Sequence, residues 1–171
     1  PRSRGLGDVY KRQNHYNRMK VAIIGAGNMG GAIARGLAQG TIIPASDVTV
    51  ADPFSGNLET LQADYPEIRV TTENPKAIED ADIVILTLGG KHGTCSMASM
   101  GEGVDATNIN LPECQDAFIR KAAKLGKPLI GVHFDGRPIS SDAADAHLDA
   151  ILEAWNPSEM GAEAVVSTLL G

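Results

Sequence analysis

The run Lys20-Val21-Ala22-Ile23-Ile24-Gly25-Ala26-Gly27-Asn28-Met29-Gly30-Gly31 narrows the folds open to this chain more than any other stretch. A short apolar strand feeds straight into G-x-G-x-x-G, and then into a helix on which Met29, Ile33 and Leu37 recur along one face. The glycines divide the mechanical work among them. Gly25 permits the tight turn, Gly27 lets the backbone approach a pyrophosphate, and Gly30 lets the helix pack closely on the strand. Phosphates would sit on the N–H groups at the helix N-terminus, where the helix dipole favours negative charge. A second strand, Val48-Thr49-Val50-Ala51, ends in Asp52, which lies 22 residues after Gly30, about where an acidic residue would bond the ribose 2′-hydroxyl. The turn therefore reads as dinucleotide-binding, with Gly25, Ala26, Gly27, Asn28, Met29, Gly30 and Asp52 as the cofactor-binding set. Asp52 repels a 2′-phosphate, and Pro53-Phe54-Ser55 brings no arginine, so the electrostatics favour NAD over NADP.

The rest of the chain keeps the same rhythm. A helical segment carries Leu58, Leu61 and Tyr65 on one face, a short strand runs from Ile68 to Thr71, and a brief helix opens near Asn74-Pro75. Ala81-Asp82-Ile83-Val84-Ile85-Leu86-Thr87-Leu88 is a continuous apolar run of the kind buried on both faces of a parallel sheet. From Gly89 to Asn110 neither period is present, and an unstructured stretch of about 20 residues is unusual inside a compact domain and is more often functional, or the sign of a mistaken assignment. Asn110 and Glu113 resemble a capping box for a helix burying Phe118, Ala122 and Leu125 and stopping at Gly126. Strands are expected over Lys127–Phe134 and Leu148–Trp155, with a last helix through Leu170 that has Pro157 at its first position. The predicted architecture is α/β: a single doubly wound, Rossmann-like parallel sheet with strand order 3-2-1-4-5-6.

With 15 basic against 21 acidic residues the net charge is −6, and no Lys/Arg cluster is interleaved with aromatics after residue 20. Nucleic acid and anionic membrane are poor partners for such a surface. No apolar run approaches the roughly 20 residues needed to span a bilayer. Cys95 and Cys114 lack C-x-x-C spacing and read as reduced thiols of a cytoplasmic protein. Residues 1–18 have no apolar period and precede a natural start at Met19, so they are set aside as a non-native or disordered tail. Residues 1–13 resemble a translated adapter-like sequence found at the ends of reading frames assembled from environmental DNA.

Two family resemblances divide what remains. Residues 19–86, with M-K-V-A-I-I-G-A-G-N-M-G-G-A-I-A-R-G-L and then A-D-I-V-I-L, resemble the N-terminal half of pyrroline-5-carboxylate reductase. The resemblance implies hydride transfer from a nicotinamide cofactor in proline biosynthesis. The chain departs from that family at Leu88-Gly89-Gly90, where a lysine-proline turn is expected, and the helical domain that builds the imine pocket has no counterpart. Residues 81–171 resemble the C-terminal α/β domain of family 3 glycoside hydrolases, the β-glucosidase type. Met100-Gly101-Glu102-Gly103-Val104-Asp105, Leu111-Pro112-Glu113-Cys114-Gln115, Gly126-Lys127-Pro128, Gly136-Arg137-Pro138-Ile139 and Ala150-Ile151-Leu152-Glu153-Ala154-Trp155-Asn156-Pro157 carry it. This resemblance makes Glu102 the counterpart of a general acid/base, with the nucleophilic carboxylate belonging to a preceding barrel domain. The two resemblances change hands at the Ala81-Asp82-aliphatic strand, so the chain reads as a chimera. Residues 19–86 form an NAD(P)-binding half, and 87–171 a glycosidase-like half.

Other chemistry is thinly supported. Glycosidases need two carboxylates across the scissile bond; Glu102 has no partner of known role, although Asp105, Asp135 and Asp142 could be near it, and solvated loop carboxylates are the better reading. His92 and Cys95 could form one edge of a metal site, and Cys114 and His133 would have to converge to complete it, so no metal is expected. Arg137 could clamp a sugar or carboxylate, or pair with Asp135 or Asp142. The leading expectation is an NAD(P)-binding remnant of a reductase that is not catalytically complete. The alternatives are a β-glucosidase-like fragment that binds a sugar and an inert chimeric reading frame. The oligomeric state is open.

Overall fold

Apolar runs too short for helices and bounded by glycine, proline or acidic residues become strands, and the amphipathic segments between them become helices. The computed structural model describes residues 19–89, 109–136, 138–158 and 160–171. Strand β1 (Val21–Ile24) leads into α1 (Asn28–Gln39), β2 (Val48–Ala51), α2 (Ser55–Asp64), β3 (Arg69–Thr71), α3 (Asn74–Glu79) and β4 (Ile83–Leu88). Next come α4 (Glu113–Ala123), β5 (Leu129–His133), α5 (Asp142–His147), β6 (Ala150–Glu153) and α6 (Gly161–Leu170). The strands form one six-stranded sheet, ordered β3-β2-β1-β4-β5-β6 as the sequence predicts, and every ladder is parallel. β4 pairs with β1 through Ile83–Leu86 and with β5 through Val84–Leu88, so the strand on which the two resemblances overlap is central and bonded on both sides.

Successive strand residues point to opposite faces, and each face carries its own apolar core. Val21, Ile23, Val48, Val50, Ile85 and Val132 pack with Ile33 and Leu37 of α1, Leu58 and Leu61 of α2, and Val165 and Val166 of α6. On the other side Ala22, Ile24, Val84, Leu86, Leu88 and Leu129 meet Ile78 of α3, Ile119 and Ala122 of α4, and Ala143 and Ala144 of α5. Burying each Ile or Leu contributes about 1.5–3 kcal/mol, which is why short strands suffice.

Local expectations fail in three places. Asn110 does not cap α4: Pro112 holds that position with no side-chain cap, and Asn110 forms an isolated parallel bridge to Ser140. Ile119, in place of Leu125, joins Ala122 in the core, and Leu125 is 49% exposed beyond the end of the helix. Pro157 does not open the last helix, which starts at Gly161, where a Cβ would run into the proline ring. Helix α5 was not expected. Ser141 caps it, its Oγ accepting from Ala144 N at 3.0 Å and donating to Asp116 Oδ1 at 2.7 Å. Among the described residues no helix is long and apolar enough to cross a membrane.

Candidate functional site at the carboxyl edge of the sheet

Strand order reverses between β1 and β4, because β1 leads to a helix on one face and the connection after β4 leads to α4 on the other. Open α/β sheets bind their ligands in the crevice outside the strand ends at such a point. Here a cleft of about 230 Å³ lies there, lined by Gly27, Asn28, Met29 and Gly30 on one side and Thr87, Leu88, Gly89, Gln115 and Phe134 on the other.

The glycine turn is built as its spacing predicts. Gly25 sits at φ +105°, and a Cβ there would run into Thr87 Oγ1. Thr87 Oγ1 in turn donates to Ile24 O at 2.9 Å, tying β4 to the end of β1. A Cβ at Gly30 would run into the carbonyl of Gly25, whereas one at Gly27, the N-cap of α1, would meet nothing within 4 Å. The first α1 backbone bond runs from Gly31 N to Gly27 O at 2.8 Å.

Asp52 departs from expectation. Only 7% exposed, it turns inward: Oδ2 accepts from Ala26 N at 2.6 Å and Oδ1 from Phe54 N at 2.8 Å. The carboxylate meant for a ribose and the Ala26 N–H meant for a phosphate satisfy each other. That pair staples the β1–α1 turn to the end of β2.

Across the cleft, Gln115 in the first turn of α4 grips the backbone of Gly89. Gly89 N donates to Gln115 Oε1 at 3.0 Å, and Gln115 Nε2 donates to Gly89 O at 2.7 Å. Deeper on the α5 side, His133 at the end of β5 is 4% exposed, with Nδ1 3.5 Å from Glu153 Oε2 on β6. Burial holds this imidazole below its ordinary value, against the raising pull of the Glu153 carboxylate and the weaker one of Asp145.

Of the residues expected to do chemistry, the described ones are not brought together at the cleft. Glu102, Asp105, His92, Cys95 and Arg137 lie outside the described residues. Asp135 is buried just past β5, Asp142 is exposed at the start of α5, and Cys114 carries an exposed free thiol. Among the described residues no group of three or more His, Cys, Asp or Glu could hold a metal ion. None of the described residues lining the cleft bears a carboxylate. Thr87 and Gln115 were missed by sequence reasoning. A hydroxyl breaking the aliphatic run of β4 was a usable signal for Thr87, while Gln115 stood only as the last residue of the stretch 111–115 that carries the glycosidase resemblance.

The family model of the glycosyl hydrolase family 3 C-terminal domain matches residues 15–171. The chain belongs to that family. A periplasmic beta-glucosidase of Salmonella typhimurium is 34% identical over 99 residues, covering 58% of this chain and 12% of that protein. A beta-xylosidase of Formosa agariphila is 33% identical over 95 residues, covering 56% and 12%. The crystal structure of a GH3 beta-glucosidase from Bifidobacterium adolescentis superposes with a TM-score of 0.63 at 22% identity, over 91% of this chain and 23% of that one. This last likeness shows the fold. The chain spans about an eighth of the length of the curated relatives it matches.

Family membership overturns the reductase reading and with it NAD or NADP as cofactor. The match takes in the glycine turn itself, and the family's chemistry is glycosyl transfer to water, which needs no hydride carrier. The structure supplies the physical reason the motif misleads. Gly25 and Gly30 are required by strand-to-helix packing alone, and Asp52 is spent on Ala26 and Phe54. A dinucleotide partner falls with the cofactor.

Proposed function

We propose that this chain is the sugar-facing C-terminal α/β unit of a glycoside hydrolase acting on β-glucosides or β-xylosides, with the carboxyl-edge cleft turned toward the sugar. Membership of the family 3 C-terminal domain carries the reading. The names of the curated relatives supply the two sugar classes. In support, the cleft presents what neutral sugars require: the N-terminal backbone of α1, the Asn28 amide and an aromatic wall at Phe134, with no charged side chain among the described lining residues. In this reading Glu102, on the connection that leaves β4 at the same edge, serves as general acid/base, and a carboxylate from elsewhere in the full enzyme serves as nucleophile. Titrating the chain with glucose, xylose and gluconolactone while following amide shifts tests it. Saturable shifts at Gly27, Asn28, Thr87 and Gly89 are expected, and no response there to any of the three sinks the reading.

A second reading concerns the origin of the chain: a fusion of two reading frames at the Ala81-Asp82-aliphatic strand. It is favoured by the span of the two curated alignments given above, 95 and 99 residues, which is about the length of the glycosidase-like stretch and well short of 15–171. Single uninterrupted DNA reads across Ala81 to Gly101 decide it, and recovery of the same frame from independent samples would exclude a fusion made in assembly.

A further inference from the structure

We propose that Gln115 is a positioning residue of the carboxyl-edge cleft, its side-chain amide setting the direction in which the chain leaves β4 by bonding both backbone groups of Gly89. Leu88 is the last β4 residue bonded to the β5 side: Phe134 N donates to Leu88 O at 2.9 Å. Gly89 is the first residue beyond β4. Its φ of +145° is open to glycine, and a Cβ would run into Phe134 O. Bonding alternates along a strand, so where Leu88 faces β5 the next residue, Gly89, turns to the β1 side, and β1 has already ended at Ile24, leaving the N–H and C=O of Gly89 with no strand to pair with. Gln115, 26 residues on, satisfies both, at 3.0 Å and 2.7 Å, taking the place of one residue of a neighbouring strand.

A primary amide carries its donor and its acceptor on separate atoms of one planar end, which matches the N–H and C=O of a single residue. Glutamate has no donor when ionised, and methionine has almost neither. The clamp also belongs to the cleft, since Gly89, Gln115 and Phe134 form the wall facing Gly27–Gly30. Fixing Gly89 therefore fixes the width of the space a ligand enters. That consequence for ligands rests on the sugar-facing reading above.

The test uses the chain itself with Gln115→Met, which keeps length and helix propensity, and Gln115→Glu, which keeps the acceptor for Gly89 N–H. In Gln115→Met, exchange of the Gly89 amide should speed up about tenfold, while Val84 and Val132 in the sheet keep their protection. Gln115→Glu should leave Gly89 slow. Glucose-induced shifts at Gly27 and Thr87 should weaken in Gln115→Met and recover in part in Gln115→Glu. Unchanged Gly89 exchange in Gln115→Met overturns the proposal. So does equal acceleration at Gly89, Val84 and Val132, which would mean that Gln115 merely stabilises the fold. If Gly89 responds as stated but the parent chain shows no shift with glucose, the clamp stands and the sugar-facing reading is what fails.

Discussion

At the residue scale, the three glycines of the turn are unequal, although the motif writes them alike. Gly25 and Gly30 lie where a Cβ would strike Thr87 and the Gly25 carbonyl, while Gly27 faces open space. Gly30→Ala should therefore lower unfolding stability in urea by about 1–3 kcal/mol, and Gly27→Ala should stay within about 0.5 kcal/mol of the parent. Asp52→Ala should cost about 1–3 kcal/mol, because Ala26 N–H would be left buried without its acceptor. Equal midpoints for Gly27→Ala and Gly30→Ala would contradict this account of the turn. His133 adds a pH dependence. Its folded value lies below the ordinary 6.5 because burial disfavours the imidazolium, so the unfolded chain binds the extra proton first. Stability from this group is complete above about pH 6.5 and falls as pH drops below it. Urea midpoints between pH 8 and 5 should decline, and the decline should shrink in His133→Gln. The motif showed where the turn lies. The direction of Asp52 could not be read, since a carboxylate at the end of β2 can face outward or back, and only the N–H groups of Ala26 and Phe54 decide.

Elements long enough to show a period were legible; of the two six-residue helices, α3 was marked by Asn74-Pro75 and α5 escaped. The strands from β1 to β6 announce themselves by aliphatic runs, and α1 by its spaced apolar face. Helix α5 has six residues, too few for any periodicity. Its one local mark is Ser141 ahead of Asp142, a capping signal that matters only once Asp116 of α4 is near enough to bond it. Ser141→Ala removes the acceptor for Ala144 N–H and the donor to Asp116, and should cost about 0.5–2 kcal/mol. Ser141→Asp should not rescue it: aspartate can cap the helix, but it would set a second carboxylate against Asp116. Thermal melts of the two variants check this, and a melt of Ser141→Asp at or above the parent's would refute the paired role of Ser141. Proline at 157 misled for a related reason. Its ring packs against Gly161 before the helix begins, a contact invisible in the local string.

For the whole molecule, strand order and both helix layers followed from sequence rhythm, whereas the functional reading did not, because the glycine turn serves packing in any fold that needs a strand to meet a helix closely. Glycoside cleavage requires two carboxylates, and with the nucleophile supplied from elsewhere in the full enzyme, as proposed above, the 171-residue chain on its own should release no nitrophenol from aryl β-glucosides or β-xylosides. Turnover by the purified chain, lost in Glu102→Gln, would show that it assembles a full site unaided. The bond from Thr87 to the Ile24 carbonyl, at the floor of the cleft, joins residues 63 apart in the chain. Closing so long a loop before any contact repays it makes such pairings late events in folding. The cleft is thus a product of completed folding and cannot precede it. A sugar that seats there would act on the refolding chain only at the end, slowing escape from the native state without hastening arrival.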